Sequence, residues 1–151
     1  MLRLPRRVLF AVEAVLDVAY NAGGATVRSG EITERQGIPA RYLEPVLQQL
    51  VRAGVLVGVR GPRGGYRLGR DARRITVGDV VRIAAGGEDE AEDEALAGGS
   101  PLGRAVVRPM VQALEDEAMA RLDAITIDAL CVQARAAGIK SANTTPMDFT
   151  I

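Results

Sequence analysis

Arg41, Glu44 and Gln48 recur at three- and four-residue spacing, on one side of a segment whose other side carries Leu43, Val46, Leu47 and Leu50. That pattern makes an amphipathic helix with a polar face suited to base edges. A guanidinium pairs with guanine, a carboxylate accepts from the cytosine amino group, and a carboxamide both donates and accepts. Arg60 and Arg63 flank the turn Gly61-Pro-Arg-Gly-Gly65, and an arginine on a narrow turn reaches a minor groove or a phosphate. Arg3, Arg6, Arg7 and Arg28 are candidate phosphate contacts, which together predict a steep salt dependence of binding.

Such side chains need a rigid carrier. Leu9, Val12, Leu16 and Ala19 predict an amphipathic helix over residues about 6–21, with those four inward. Ser29 is expected to cap a short second helix stopped by Gly37, and Gly-Ile-Pro-Ala then reads as a helix-turn-helix turn. The recognition segment ends at Ala53-Gly54, and residues 55–60 and 66–68 bracket the glycine-rich turn as a β-hairpin. Pro45 removes a hydrogen bond inside the recognition helix, a strain that a helix start near Arg41 would relieve. Thr76 to Asp79 resembles a capping box for a helix over 77–84. Ser100-Pro101 opens a long helix to about Asp123, with a broken stripe of Leu102, Val106, Met110, Leu114 and Leu122 and a kink expected at Pro109. Thr126 caps a last helix that Gly138 stops.

Composition removes several functions. The 151 residues contain no His and one Cys, Cys131, so a zinc finger, a Cys/His nucleophilic pair and an intrachain disulfide are excluded within this chain. No apolar stretch reaches the roughly 20 residues of a membrane span, and a cytoplasmic, non-enzymatic protein is expected. The zero net charge divides unequally: residues 1–84 carry 14 Arg against 7 Asp plus Glu, while residues 85–151 carry 5 basic against 12 acidic residues. A basic first half is the footprint of a phosphate-binding module.

Tyr42-Leu-Glu, Arg52-Ala-Gly54, Val59-Arg-Gly-Pro62, Gly64-Gly-Tyr-Arg-Leu68 and Ile75-Thr-Val-Gly-Asp79 resemble the pattern of the Rrf2 family of bacterial regulators, the IscR, NsrR and CymR type. The likeness covers most of residues 3–135. It implies a homodimeric winged-helix transcription regulator, probing an inverted-repeat operator in double-stranded DNA with its third helix and wing, and Tyr42 joins the expected recognition face. Sensor members hold an iron–sulfur cluster through three Cys in the segment before the dimer helix; the corresponding segment here has none and instead carries six acidic residues between positions 88 and 94. Carboxylates do not replace three soft thiolates, so neither cofactor nor metal is expected.

The expected architecture is mainly α with a small β-hairpin wing: a winged helix-turn-helix DNA-binding domain at 1–84, an acidic linker loop at 85–100, dimerisation helices at 101–138 and a flexible tail at 139–151. The leading expectation is a repressor. The alternatives are a winged-helix protein-interaction module that does not bind DNA, or a redox switch acting through Cys131, which otherwise reads as core.

Overall fold

The computed structural model describes residues 3–86 and 99–143. The described chain runs α1 (Arg6–Asn21), α2 (Ser29–Gln36), α3 (Ala40–Arg52), β1 (Leu56–Val59), β2 (Gly65–Leu68), a 3-10 turn (Ala72–Arg74), α4 (Val77–Ala85), a π-helical turn (Gly103–Val107), α5 (Arg108–Asp123) and α6 (Ile127–Ala136). Most of the expected acidic linker, including all six of its acidic side chains, lies outside the described residues. No helix among the described residues is long and apolar enough to cross a membrane.

Helix α1 is the central beam, in contact with α2, α3, α4, β2 and α6. Its buried stripe is Val8, Ala11, Ala14, Val15 and Val18, one residue out of step with the predicted Leu9, Val12, Leu16 and Ala19. Of those four, Val12, Leu16 and Ala19 are half-buried and pack against the core, while Leu9 is 44% exposed. The two stripes share their spacing, so periodicity does not choose between them; packing does, because the smaller Val and Ala side chains let neighbouring helices approach α1 closely.

Asp17, which the sequence presents as a polar spacer on α1, is buried instead. Its carboxylate accepts from Arg35 Nε at 2.9 Å, Arg35 Nη2 at 2.8 Å and Gln36 Nε2 at 2.8 Å. This three-donor cage compensates the buried charge and locks the C-terminal turn of α2 onto α1.

Helix α2 begins one residue earlier than a Ser29 cap would require, with Arg28 at the N-cap. Val27 pairs with Tyr66 through N–H···O contacts of 2.9 and 2.7 Å, which holds the chain extended up to Arg28, and Ser29 becomes the first helical residue. The Arg28 N–H is met instead by Glu31 Oε1 at 3.2 Å. In α3 the expected relief of Pro45 by a late start does not occur, since the helix already begins at Ala40. Pro45 is exposed, so the Arg41 carbonyl that it leaves without an intrahelical donor can turn to water.

The hairpin is antiparallel, with Leu56 opposite Leu68 and Val59 opposite Gly65. Gly65 has φ +145, and a Cβ there would stand 2.6 Å from the Val27 carbonyl oxygen, so only glycine fits where the hairpin meets the strand-like Val27.

Thr76 and Asp79 form the predicted capping box, with hydrogen bonds of 3.0 Å in both directions. Thr126 caps α6 through the Ala129 N–H at 3.0 Å. The two helix starts are tied together, Val77 N–H to Ile125 O and Ile127 N–H to Ile75 O, each at 2.8 Å. Ser100 Oγ accepts from Gly103 N–H at 3.1 Å, as an N-cap should. The strain expected at Pro109 is met by the π-helical turn directly before it, in which the Arg108 N–H reaches back five residues to Gly103.

The first part of the predicted tail is held in place. Ser141 Oγ donates to the Tyr20 carbonyl at 2.7 Å and Ala142 N–H to Asn21 Oδ1 at 2.9 Å, while Asn143 Nδ2 donates to the Asn21 carbonyl. The Tyr20 and Asn21 backbone carbonyls are orphan acceptors at the C-terminal end of α1, so residues 141–143 act as a distant cap.

Candidate nucleic-acid interface

Leu43, Val46, Leu47 and Leu50 are buried and seat α3 on the core, which leaves Arg41, Tyr42, Glu44 and Gln48 exposed on the other side. The Arg41 guanidinium lies 4.7 Å over the Tyr42 ring. Tyr42 in turn packs against Phe10 of α1, with ring centroids 6.3 Å apart. This stack gives Arg41 a platform that reduces the rotamer freedom lost on binding. Glu44 lies close enough to Tyr66 on β2 to help burial push the phenol up from its ordinary value.

A groove of about 920 Å³ joins the start of α1 to the exposed face of α3, lined among others by Arg6, Arg7, Arg41, Tyr42, Gln48 and Arg52. Two of the predicted phosphate-binding arginines thus share a surface with the predicted base-reading residues. Arg7 is committed in part to the fold, its Nε donating to the Ala84 carbonyl at 3.1 Å near the end of α4. Arg3 is exposed.

The wing forms a second, separate surface. Arg60 lines a shallow groove with Arg28, Ser29 and Tyr66, and Arg63 stands exposed at the tip. Arg28 Nη2 donates to the Pro62 carbonyl at 2.5 Å, and Thr26 Oγ1 donates to the Arg63 and Gly64 carbonyls at 2.9 and 3.2 Å. Arg28 therefore braces the wing, a role hidden in a sequence where its partner lies 34 positions away. Thr26 was not singled out by spacing or motif, and nothing local marks it. Among the described residues no carboxylate pairs with Arg41, Arg60 or Arg63.

Cys131 is 4% exposed on α6. Burial pushes its thiol up, with Asp128 adding to and Arg135 opposing the effect, the environment of a packing residue rather than a reactive thiolate. No group of three or more His, Cys, Asp or Glu able to hold a metal ion occurs among the described residues.

A helical unit whose third helix and adjoining hairpin project arginines from a common core is a winged helix-turn-helix, here followed by a long C-terminal helix. The chain belongs to the Rrf2 family, whose model, described as an iron-dependent transcriptional regulator, matches residues 4–133. The family is one of transcription regulators, not enzymes. Over 80 residues the chain is 46% identical to the HTH-type transcriptional regulator IscR of Cronobacter sakazakii and 48% identical to that of Photobacterium profundum. Those alignments take in 53% of this chain and 49% and 46% of the two relatives, so the chain matches about half the length of these curated relatives. Among solved structures, T. potens IscR superposes with a TM-score of 0.73 at 30% identity, covering 90% of each chain. The oxidized form of Staphylococcus aureus CymR shares the fold, with a TM-score of 0.67 at 23% identity over 86% of this chain and 96% of that one.

Proposed function

We propose that the chain is a homodimeric, sequence-specific DNA-binding transcription regulator that represses from an inverted-repeat operator without an iron–sulfur cluster. The observation that carries this reading is the set of arginines on α3 and the wing, exposed and without ion-pair partners among the described residues. A basic surface on a braced wing and a stacked recognition helix suits major-groove reading by Arg41, Glu44 and Gln48, and backbone or minor-groove contact by Arg60 and Arg63. Arg3 and Arg6 supply further phosphate contacts, and Arg7 and Arg28 act mainly by holding the surface together. DNA as the partner implies work in the cytoplasm.

Donor chemistry supports the absence of a cluster: one cysteine and no histidine are present in the chain, and Cys131 is buried in α6. Iron and sulfide analysis of anaerobically purified protein tests this point. Stoichiometric iron and sulfide with visible charge-transfer absorption would refute it.

Fluorescence anisotropy with mixed genomic fragments, followed by selection of bound sequences, tests the DNA reading. Affinity should fall steeply with salt, and Arg63→Ala should reduce the salt slope by about one. Salt-independent affinity that Arg63→Ala leaves untouched would favour the protein-interaction module instead. Transcription in vitro from a selected fragment then distinguishes repression from activation.

A further inference from the structure

We propose that the cleft between the last turn of α1 and the strap after α6 is a binding site for a small aliphatic carboxylate. The cleft measures about 530 Å³ and is lined by Ala19 and Tyr20 from one side and by Cys131, Arg135, Ile139 and Lys140 from the other. That volume lies within the range of small-molecule sites, about 300–1,000 Å³.

Its walls divide by chemistry. Ala19, the Tyr20 ring and Ile139 offer hydrocarbon, and Ile139 is left 58% exposed, a large apolar side chain at the mouth of the cleft. Arg135 and Lys140 add two cations, neither of which meets a carboxylate among the described residues. A ligand with an anionic head and a short alkyl body satisfies both surfaces at once, whereas an alcohol of the same length satisfies only one.

The site is also preformed. The Tyr20 hydroxyl donates to the Ile139 carbonyl, and Ser141 Oγ donates to the Tyr20 carbonyl at 2.7 Å. The strap is therefore fastened to α1 on both sides of Lys140, and a ligand that enters does not have to order it.

Cys131 lines the cleft and is the chain's one cysteine, which makes it a reporter. Iodoacetate and iodoacetamide alkylate a thiol by the same substitution, forming an S–C bond, expelling iodide and releasing the thiol proton to solvent. They are similar in size and differ in charge. The measurement is the ratio of their rates at Cys131 in the intact native chain and in the urea-unfolded chain. The proposal expects the native ratio to favour iodoacetate several-fold more than the unfolded ratio does. Arg135→Gln and Lys140→Gln, both at exposed positions, should bring it back toward the unfolded value without moving the thermal midpoint. Hexanoate should protect Cys131 saturably, and hexan-1-ol at equal concentration should not. Equal ratios folded and unfolded, indifference to both substitutions, equal protection by acid and alcohol, or no native labelling by either reagent would each overturn the proposal. The experiment contains no DNA, so its outcome is independent of the operator-binding reading.

Discussion

The guanidinium of Arg28 donates from Nη2 to the Pro62 carbonyl at 2.5 Å, fastening the wing turn to the segment that leads into α2. Val27 beside it pairs with Tyr66 on β2. The wing is therefore built as an extension of the helix-turn-helix rather than as a free hairpin, and its angle to α3 is set by residues that precede both.

Arg28→Ala should consequently weaken DNA binding through geometry. The lost charge-assisted hydrogen bond is worth about 1–2 kcal/mol, of which a mobile wing passes on part, so the expected loss is roughly fivefold in affinity. Because the Arg28 guanidinium is spent on a carbonyl, the salt slope should change less than it does in Arg63→Ala. Anisotropy titrations across a salt series for both variants make the comparison. Equal changes in slope would mean that Arg28 contacts phosphate directly.

The cage around Asp17 makes a sharper stability prediction. Arg35→Ala leaves a fully buried carboxylate with Gln36 as its remaining side-chain donor. Unpairing a buried charge costs about 3–5 kcal/mol, but Arg35 is 28% exposed, so water enters and about 2–3 kcal/mol is the better expectation. Urea unfolding should show a lower midpoint with an unchanged slope. A loss under 1 kcal/mol would mean that the cage contributes little to the seating of α2.

These two contacts mark the boundary of what was legible in the sequence. Leu43, Val46, Leu47 and Leu50 were readable because a helix repeats locally, and all four are buried as predicted. Thr76 and Thr126 were readable because a cap is a local hydrogen bond. On α1 the predicted Val12, Leu16 and Ala19 do pack against the core, but Leu9 is exposed and the fully buried stripe lies one residue earlier, because two apolar stripes with equal spacing adjoin. Arg7 and Arg28 read as phosphate ligands on charge alone, yet they donate to carbonyls 77 and 34 positions away. Pairings of that kind leave no periodic trace, and neither does the strap, whose partners Tyr20 and Asn21 lie about 120 positions earlier.

Acid should loosen the junction between α4 and α5. Arg82 clasps Asp123 through contacts of 2.7 and 2.5 Å, and this pairing, aided by the charge of Arg82, holds the Asp123 carboxyl below its ordinary value. A carboxyl depressed in the folded state stabilises the fold above the unfolded pKa, about 4, and that contribution is lost as pH falls through the lower folded pKa. The Asp71 carboxyl, pushed down to about 2 by Arg73, changes in the same direction, so the test must compare variants rather than follow one protein. The gap in urea midpoint between the native chain and Asp123→Asn should be constant near neutrality and close in strong acid. A gap that widens in acid would contradict the assignment. Gly78→Ala should cost more than Asp123→Asn, about 1–3 kcal/mol, since a Cβ there would fall 1.9 Å from Asp123 Oδ1 and 3.0 Å from its backbone nitrogen.

The stretch from Leu102 through the π-helical turn into α5 presents apolar side chains that the described chain leaves uncovered. Leu102, Val106 and Met110, spaced one turn apart, are 74%, 59% and 57% exposed, and Val111 and Leu114 on the adjoining turn are 40% and 48% exposed. A continuous stripe of this kind is the expected face of a two-fold interface, in which each residue counts twice. Met110→Glu removes about 2 kcal/mol of apolar burial per protomer and introduces a charge, so the dimer dissociation constant should rise by at least roughly a hundredfold. Sedimentation equilibrium should give twice 16.0 kDa for the native chain and 16.0 kDa for the variant at micromolar concentration. Gln112, which hydrogen bonds Asp116 along the same helix at 2.9 Å, sits about 200° around the axis from Met110, and Gln112→Ala should remain dimeric. If dimerisation is what spaces the two recognition helices, Met110→Glu should lose affinity for an inverted repeat while keeping its weak affinity for a single half-site. A native chain that sediments as a monomer, or a variant that still binds the full repeat tightly, would remove the dimer from the reading.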